Sequence, residues 1–159
     1  MDACKLNYFD LAKKYSTPYY CYDASQIDNI IKSLLKHFPH PIDIHYSMKA
    51  NPNIALCERV CQRGLSVEVC SSGELTTAID AGFSPEAIIA VGPAKKESFL
   101  KQLILHNVYL IICESLRELE LIEHLALSLS LFSRICGCSE APLTSLADDI
   151  ALFKGNLAF

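Results

Sequence analysis

Lys49 is the residue with the most chemistry open to it. It sits in Tyr46-Ser47-Met48-Lys49-Ala50-Asn51-Pro52-Asn53, which joins the alternating run Ile42-Asp43-Ile44-His45-Tyr46 to a helix opening at Pro52. The pattern reads as the C-terminal end of a β-strand feeding a βα turn, where α/β sheets keep their reactive groups. A lysine held there partly desolvated offers an amine nucleophile toward an aldehyde carbon. By position alone, a solvated surface charge fits the same lysine. One strand further on, Glu68 alternates with Val67 and Val69, on a face that would point inward if the sheet closed. A structural ion pair or an outward-facing glutamate also accounts for it.

Other polar residues at strand ends have simpler explanations. Ser71 and Glu74 have the spacing of a helix-capping box, beside Ser72, and Ser115 with Glu118 repeats it after Glu114. Asn51 is expected to cap the helix that starts at Pro52. Lys95 and Lys96 read as a solvated pair rather than a phosphate site. Of His37, His40 and His45, only the last has a carboxylate close by, Asp43, and no further ligand completes a metal set. The eight cysteines read as reduced core residues: Cys57 and Cys61 lie one helical turn apart, and Cys70 and Cys113 end strands. Cys136-Gly137-Cys138 is too tight for zinc-ligand spacing and lacks a second pair, so no metal is expected.

These residues must be positioned by a regular frame. Tyr8, Phe9, Leu11, Ala12 and Tyr15 suggest a short amphipathic lead-in within residues 1–16, after which Thr17-Pro18 breaks it and Tyr19-Tyr20-Cys21-Tyr22 reads as a strand. Ile27, Ile30, Ile31, Leu34, Leu35 and Phe38 place a helix over Ser25 to Phe38, with Ser25 and Asp28 as its capping pair and Pro39 and Pro41 as its stop. From Ile42 a strand-then-helix unit repeats, with strands beginning near 42, 65, 88 and 108. Gly64, Gly82 and Asn107 punctuate the helix ends. Alternating βαβα with short loops means a parallel sheet with right-handed crossovers, either an open layer or part of a barrel. No strand is followed by a Gly-rich dinucleotide or P-loop pattern: Gly92-Pro93-Ala94-Lys95-Lys96 lacks the further glycines.

The chain has 159 residues, enough for one domain with a real core, and its apolar content argues against disorder. A net charge of −4 with scattered lysines makes nucleic acid a poor partner. The N-terminus lacks a secretory pattern, and the greasiest segments, Leu103 to Cys113 and Leu125 to Phe132, are interrupted or too short to span a bilayer. The expectation is a soluble, cytoplasmic protein with no membrane partner.

The octet around Lys49 resembles the cofactor-lysine motif of the fold-type III pyridoxal-phosphate decarboxylases, the ornithine/diaminopimelate/arginine decarboxylase family. The resemblance continues through Gly64-Leu65-Ser66-Val67-Glu68-Val69-Cys70-Ser71-Ser72-Gly73-Glu74-Leu75, Ala81-Gly82-Phe83, Ile88-Ile89-Ala90-Val91-Gly92-Pro93-Ala94-Lys95-Lys96 and Glu114-Ser115-Leu116-Arg117-Glu118-Leu119. It covers roughly residues 17–126.

The resemblance implies an α/β fold, a partial (β/α)8 TIM-type barrel of about four βα units lacking the C-terminal β-domain. On this reading residues 1–24 are a lead-in and strand, 25–127 the N-terminal half of a pyridoxal-phosphate-binding barrel, and 128–159 a divergent tail with a short helix near 144–153. The cofactor implied is pyridoxal 5'-phosphate. Lys49 would be the catalytic Schiff-base lysine, and Glu68 a cofactor-binding carboxylate at a position commonly occupied by aspartate. Decarboxylation of an amino acid of the diaminopimelate, ornithine or lysine type is the implied activity. By the family pattern the phosphate loop, the acid facing the pyridine nitrogen and the partner subunit's contributions lie downstream, so a truncated, weakly active or inactive form is expected. The partners expected are a small amino-acid substrate and either a second copy or a complementing chain. The alternatives are a cofactor carrier of the same barrel type and a non-catalytic module pairing with a full-length paralogue.

Overall fold

The computed structural model describes residues 7–38, 41–131, 133 and 135–137, in two compact units, Met1–Ile42 and Asp43–Phe159.

In the first unit, α1 (Tyr8–Tyr15) starts where the Asn7 side chain accepts the Phe9 N–H, and α2 (Ala24–His37) starts one residue after Asp23. The cap of α2 differs from the expected Ser25–Asp28 pair. The Asp23 carboxylate accepts the N–H groups of Ser25 and Gln26 and the Ser25 hydroxyl. A carboxylate placed one residue before the first turn can take two of its orphan donors at once, which a serine inside the turn cannot. The expected strand at Tyr19–Tyr22 is not formed: these residues carry no strand pairing. Their aromatic character favours extended chain, but a strand needs a neighbour to pair with.

In the second unit, four βα units follow one another: β1 (His45–Ser47) and α3 (Ile54–Gln62), β2 (Ser66–Val69) and α4 (Ser72–Asp80), β3 (Ile88–Ala90) and α5 (Glu97–Leu105), β4 (Leu110–Cys113) and α6 (Leu116–Leu129). A fifth strand, β5 (Ile135–Gly137), then pairs with β4. All pairings are parallel and the spatial order is β1-β2-β3-β4-β5. Sequential order is the arc of a singly wound barrel; a doubly wound open sheet reverses its order at a switch point.

One chain reversal is used four times. Gly64, Gly82, Asn107 and Ser130 all have positive φ, and each is followed by a residue whose N–H reaches back five positions: Leu65 to Val60, Phe83 to Ala78, Val108 to Leu103 and Leu131 to Ala126. This is the Schellman closure, which satisfies carbonyls that the helix end would otherwise leave unpaired. In the first three units the residue after the reversal, Leu65, Phe83 or Val108, is buried, so the turn also starts the return into the sheet.

The sheet's helix-covered face carries Val67, Val69, Ile88, Ala90, Ile111 and Cys113, each no more than 4% exposed. Against them lie Cys57 and Val60 of α3, Leu75 and Ala78 of α4, Leu100, Leu103 and Ile104 of α5, and Ile122 and Leu125 of α6, all buried. Burial of each large aliphatic side chain contributes about 1.5–3 kcal/mol. The opposite face holds Ser47, Ser66, Glu68, Ile89, Leu110 and Ile112, all half-buried.

The fifth strand corrects the expectation that regularity ends near Ser128. A three-residue strand ending in glycine has no periodicity to read, and it forms because β4 presents an unpaired edge to it. The possible helix near 144–153 and most of the expected divergent tail lie outside the described residues.

Candidate active site

The chain after β1 turns at once. Met48–Ala50 forms a single 3-10 turn, closed by the Asn51 N–H donating to the Met48 carbonyl at 3.0 Å. Met48 is fully buried, which anchors the turn from below, while Lys49 next to it is exposed. The Tyr46 hydroxyl donates to the Asn51 carbonyl at 3.0 Å, bracing the turn from the strand side. Helix α3 begins later than expected, at Ile54, with Asn53 as its cap through the Ala55 N–H. Asn51 instead accepts the Asn53 N–H and holds the segment between turn and helix. Two asparagines at alternate positions make either one a cap by sequence; the first helical residue is Ile54, which puts Asn53 at the cap.

On the neighbouring strand Glu68 is the direct register partner of Ser47. The Ser47 hydroxyl donates to Glu68 Oε1 at 3.0 Å. Residues opposite each other on adjacent strands share a face, so Ser47 and Glu68 stand together on the face away from the helices.

The next turn spends its polar groups on its own backbone. Ser71 Oγ accepts the Glu74 N–H, and Glu74 Oε2 reaches back to accept the Cys70 N–H at 2.6 Å, a capping box whose return bond falls one residue before the cap. Ser115 and Glu118 repeat it, with Glu118 Oε2 accepting the Glu114 N–H. The caps expected at Ser71, Glu74 and Ser115 are therefore present.

Lys95 corrects the expectation of a solvated pair. Its side chain is 1% exposed, and its Nζ donates to the Gly92 carbonyl at 2.6 Å, the Ile112 carbonyl at 2.6 Å and Glu118 Oε2 at 3.2 Å. Three ammonium protons meet three acceptors. Glu118 Oε1 also takes the Lys95 N–H, and the Glu114 carboxylate takes the Gly92 N–H. Together these bonds tie the turn after β3 to the turn after β4. Burial by itself would raise the Glu118 carboxyl, but the Glu114 and Lys95 N–H donors and the Lys95 ammonium outweigh it and hold the group below its usual value. Lys96 alone is exposed.

Cys70 reports on how these charges are arranged. Its thiol is pushed up first by burial, then by Glu74 and Glu68, and is pulled down by Lys49 and Lys95. Lys49 is exposed, so of the two readings open to it by position the solvated one holds. Among the described residues no group of His, Cys, Asp and Glu could hold a metal ion.

An exposed lysine on a braced turn, with a hydrogen-bonded carboxylate one strand away, fits a cofactor that is bound through an aldehyde. The family model for the pyridoxal-dependent decarboxylases, pyridoxal binding domain, matches residues 24–145. The chain belongs to this family. The cofactor of the domain is pyridoxal 5'-phosphate.

The chain is 45% identical over 116 residues to the L-glutamyl-[BtrI acyl-carrier protein] decarboxylase of Niallia circulans, which covers 73% of this chain and 27% of that protein. It is 35% identical over 118 residues to the diaminopimelate decarboxylase of Bacillus subtilis, covering 72% of this chain and 27% of the relative. The crystal structure of diaminopimelate decarboxylase from Helicobacter pylori complexed with L-lysine superposes with a TM-score of 0.78 at 29% identity, over 82% of this chain and 34% of that one. The chain thus spans about a quarter to a third of the length of these relatives. The family match also reaches past residue 126, where the resemblance read from the motifs stopped, and takes in β5.

Two features were missed in the sequence. The Ser47–Glu68 bridge depends on strand register, which no local pattern reports. The burial of Lys95 depends on Glu118, which lies a full βα unit away; its capping spacing was visible but not its second partner.

Proposed function

We propose that this chain supplies the cofactor-lysine segment of a pyridoxal-phosphate-dependent amino-acid decarboxylase acting on a substrate of the diaminopimelate, ornithine or lysine type. The observation that carries the reading is the exposed Lys49 on its braced turn beside the Ser47–Glu68 pair. When bound, the cofactor supplies an electron-accepting ring for the negative charge left at Cα as carbon dioxide departs. Lys49 holds the cofactor through its amine. Glu68, through Oε2, would take the proton that the Lys49 ammonium must lose before its nitrogen can hold an aldehyde group. Tyr46 and Asn51 keep the turn in place, a positional contribution.

The matched segment is only about a quarter to a third of each relative, and the complete activity belongs to a complete barrel. The isolated chain should turn over diaminopimelate, ornithine or lysine far more slowly than about 1 per second. On the same reading it works in the cytoplasm, where cysteines such as Cys57, Cys61 and Cys70, none of them in a disulfide, stay reduced, and no helix of the described residues is long and apolar enough to cross a membrane. Ile89, Leu110 and Ile112 on the face away from the helices, and the β1 edge, favour association with a second copy or a complementing chain. Light scattering tests that part, and a compact monomer that binds no hydrophobic dye speaks against it.

The deciding experiment is borohydride reduction in the presence of pyridoxal phosphate, followed by peptide mapping. Label on Lys49, absent from Lys49→Ala, is expected. Preferential label on another lysine, or undiminished label in the variant, refutes the assignment.

A further inference from the structure

Glu68 has three side-chain torsions and stands on a half-open sheet face, so nothing in its own covalent structure holds the carboxylate in one place. One residue supplies that restraint. Ser47 is its register partner, and the Ser47 hydroxyl donates to Oε1 at 3.0 Å. The other oxygen takes no hydrogen bond from any described residue. Ser47 is half-buried, lies two residues before Lys49 and begins the turn that carries it. No ion pair joins Glu68 to Lys49 among the described residues, but Lys49 stands in the turn that follows Ser47 directly, so the Ser47–Glu68 pair lies at the foot of that turn. A serine in a three-residue strand is an otherwise weak choice, since β-branched and aromatic residues pack a strand better.

We propose that Ser47 is a positioning residue: its hydroxyl fixes Oε1 of Glu68 so that Oε2 meets the Lys49 amine, and it acts on cofactor capture only through Glu68. The proposal rests on the reading of Lys49 as the cofactor lysine. It assigns Ser47 no contact with cofactor or substrate. One consequence is that threonine, which keeps the hydroxyl and suits a strand, should serve in its place.

The test measures the rate at which pyridoxal phosphate is captured on Lys49 in the full 159-residue chain, trapped by borohydride at successive times and across a pH series. Four variants are compared: Ser47→Ala, Ser47→Thr, Glu68→Gln and the double Ser47→Ala/Glu68→Gln. Ser47→Ala is expected to slow capture about tenfold, the size of a lost hydrogen bond to a charged group. Ser47→Thr should restore the rate, and Ser47→Ala should add nothing once Glu68 is glutamine. A merely structural serine would slow both backgrounds alike and leave the shape of the pH profile unmoved. The proposal is overturned by an unchanged rate in Ser47→Ala, by effects that multiply in the double variant, or by a Ser47→Thr chain that folds yet behaves as Ser47→Ala. Absence of label on Lys49 in the unaltered chain overturns the cofactor reading itself, and this proposal with it.

Discussion

Lys49 and Lys95 occupy equivalent places. Each lies in the turn after a strand of the same parallel sheet, at the end where reactive groups collect. Their fates are opposite. Lys95 is held by two strand-end carbonyls and a carboxylate, and its side chain is 1% exposed. Lys49 is exposed on a turn whose hydrogen bonds are made by its neighbours, Tyr46 and Asn51. An ammonium with all three protons committed in a dry site repays its desolvation but cannot offer a lone pair to a carbonyl carbon. One lysine therefore builds the frame, and the other is left available for chemistry.

The largest effect should come from exchanging these roles. Lys49→Ala is expected to reduce pyridoxal-phosphate label to background while changing unfolding free energy by no more than about 0.5 kcal/mol, as for an exposed position. Lys95→Ala should keep the label on Lys49. Label that follows Lys95 instead would end the distinction. Next in size, Lys95→Ala should lower stability in urea by about 3 kcal/mol, because it leaves Glu118 buried without its cation. Replacing Lys95 with methionine and Glu118 with glutamine, which keeps an acceptor for the Lys95 and Glu114 N–H groups, should recover part of that loss, and a double variant as unstable as Lys95→Ala would argue against the uncompensated charge as the cause.

A pH dependence follows from the same pair. The Glu118 carboxyl is held below its usual value of 4.5 in the folded chain, so the unfolded chain binds its proton more readily. The stabilisation is complete above about pH 4.5 and is lost as the pH falls through the folded value. Urea titrations from neutral pH downward should show stability falling in that acid window, with a shallower fall in Glu118→Gln. An identical slope in the variant would remove Glu118 as the source.

Smaller effects separate the two capping boxes. Glu74 and Glu118 hold equivalent N–H groups at equivalent helix starts, but only Glu118 has a buried cation beside it. Glu74→Ala should cost about 1 kcal/mol, well short of Glu118→Ala; equal losses measured in urea would mean that the ion pair adds nothing to the cap. The smallest change is a gain. Ser130 closes α6 with φ at 53°, where glycine closes α3 and α4, and Ser130→Gly should raise stability by about 0.5 kcal/mol. A loss in thermal unfolding would show that the serine side chain contributes there.

Much of the frame was legible because it is written locally. Gly64, Gly82 and Asn107 announce positive φ, Ser71 and Ser115 announce helix starts by the glutamate three residues on, and apolar residues return at helical spacing between them. Ser130 was not legible as a helix end, since serine has no preference for the left-handed region that would mark it. Asp23 and Asn53 each cap two residues away from the expected Ser25 and Asn51, since neighbouring polar residues can all serve as caps and only the backbone path selects one. The place of Lys49 in the turn after β1 and of Glu68 on β2 was legible from periodicity and from the motifs around them.

The sequence by itself determined the alternation of strands and helices, the parallel direction of the sheet and the turn that carries Lys49. Each of these follows from side-chain periodicity or from a backbone preference spanning a few residues. Tertiary structure alone decided that Ser47 meets Glu68, that Lys95 is buried against Glu118 and that Ile135–Gly137 becomes a strand. All three depend on which residues stand opposite one another after strands from separate βα units have paired. Register and edge availability set that, and neither is encoded in any short stretch of chain.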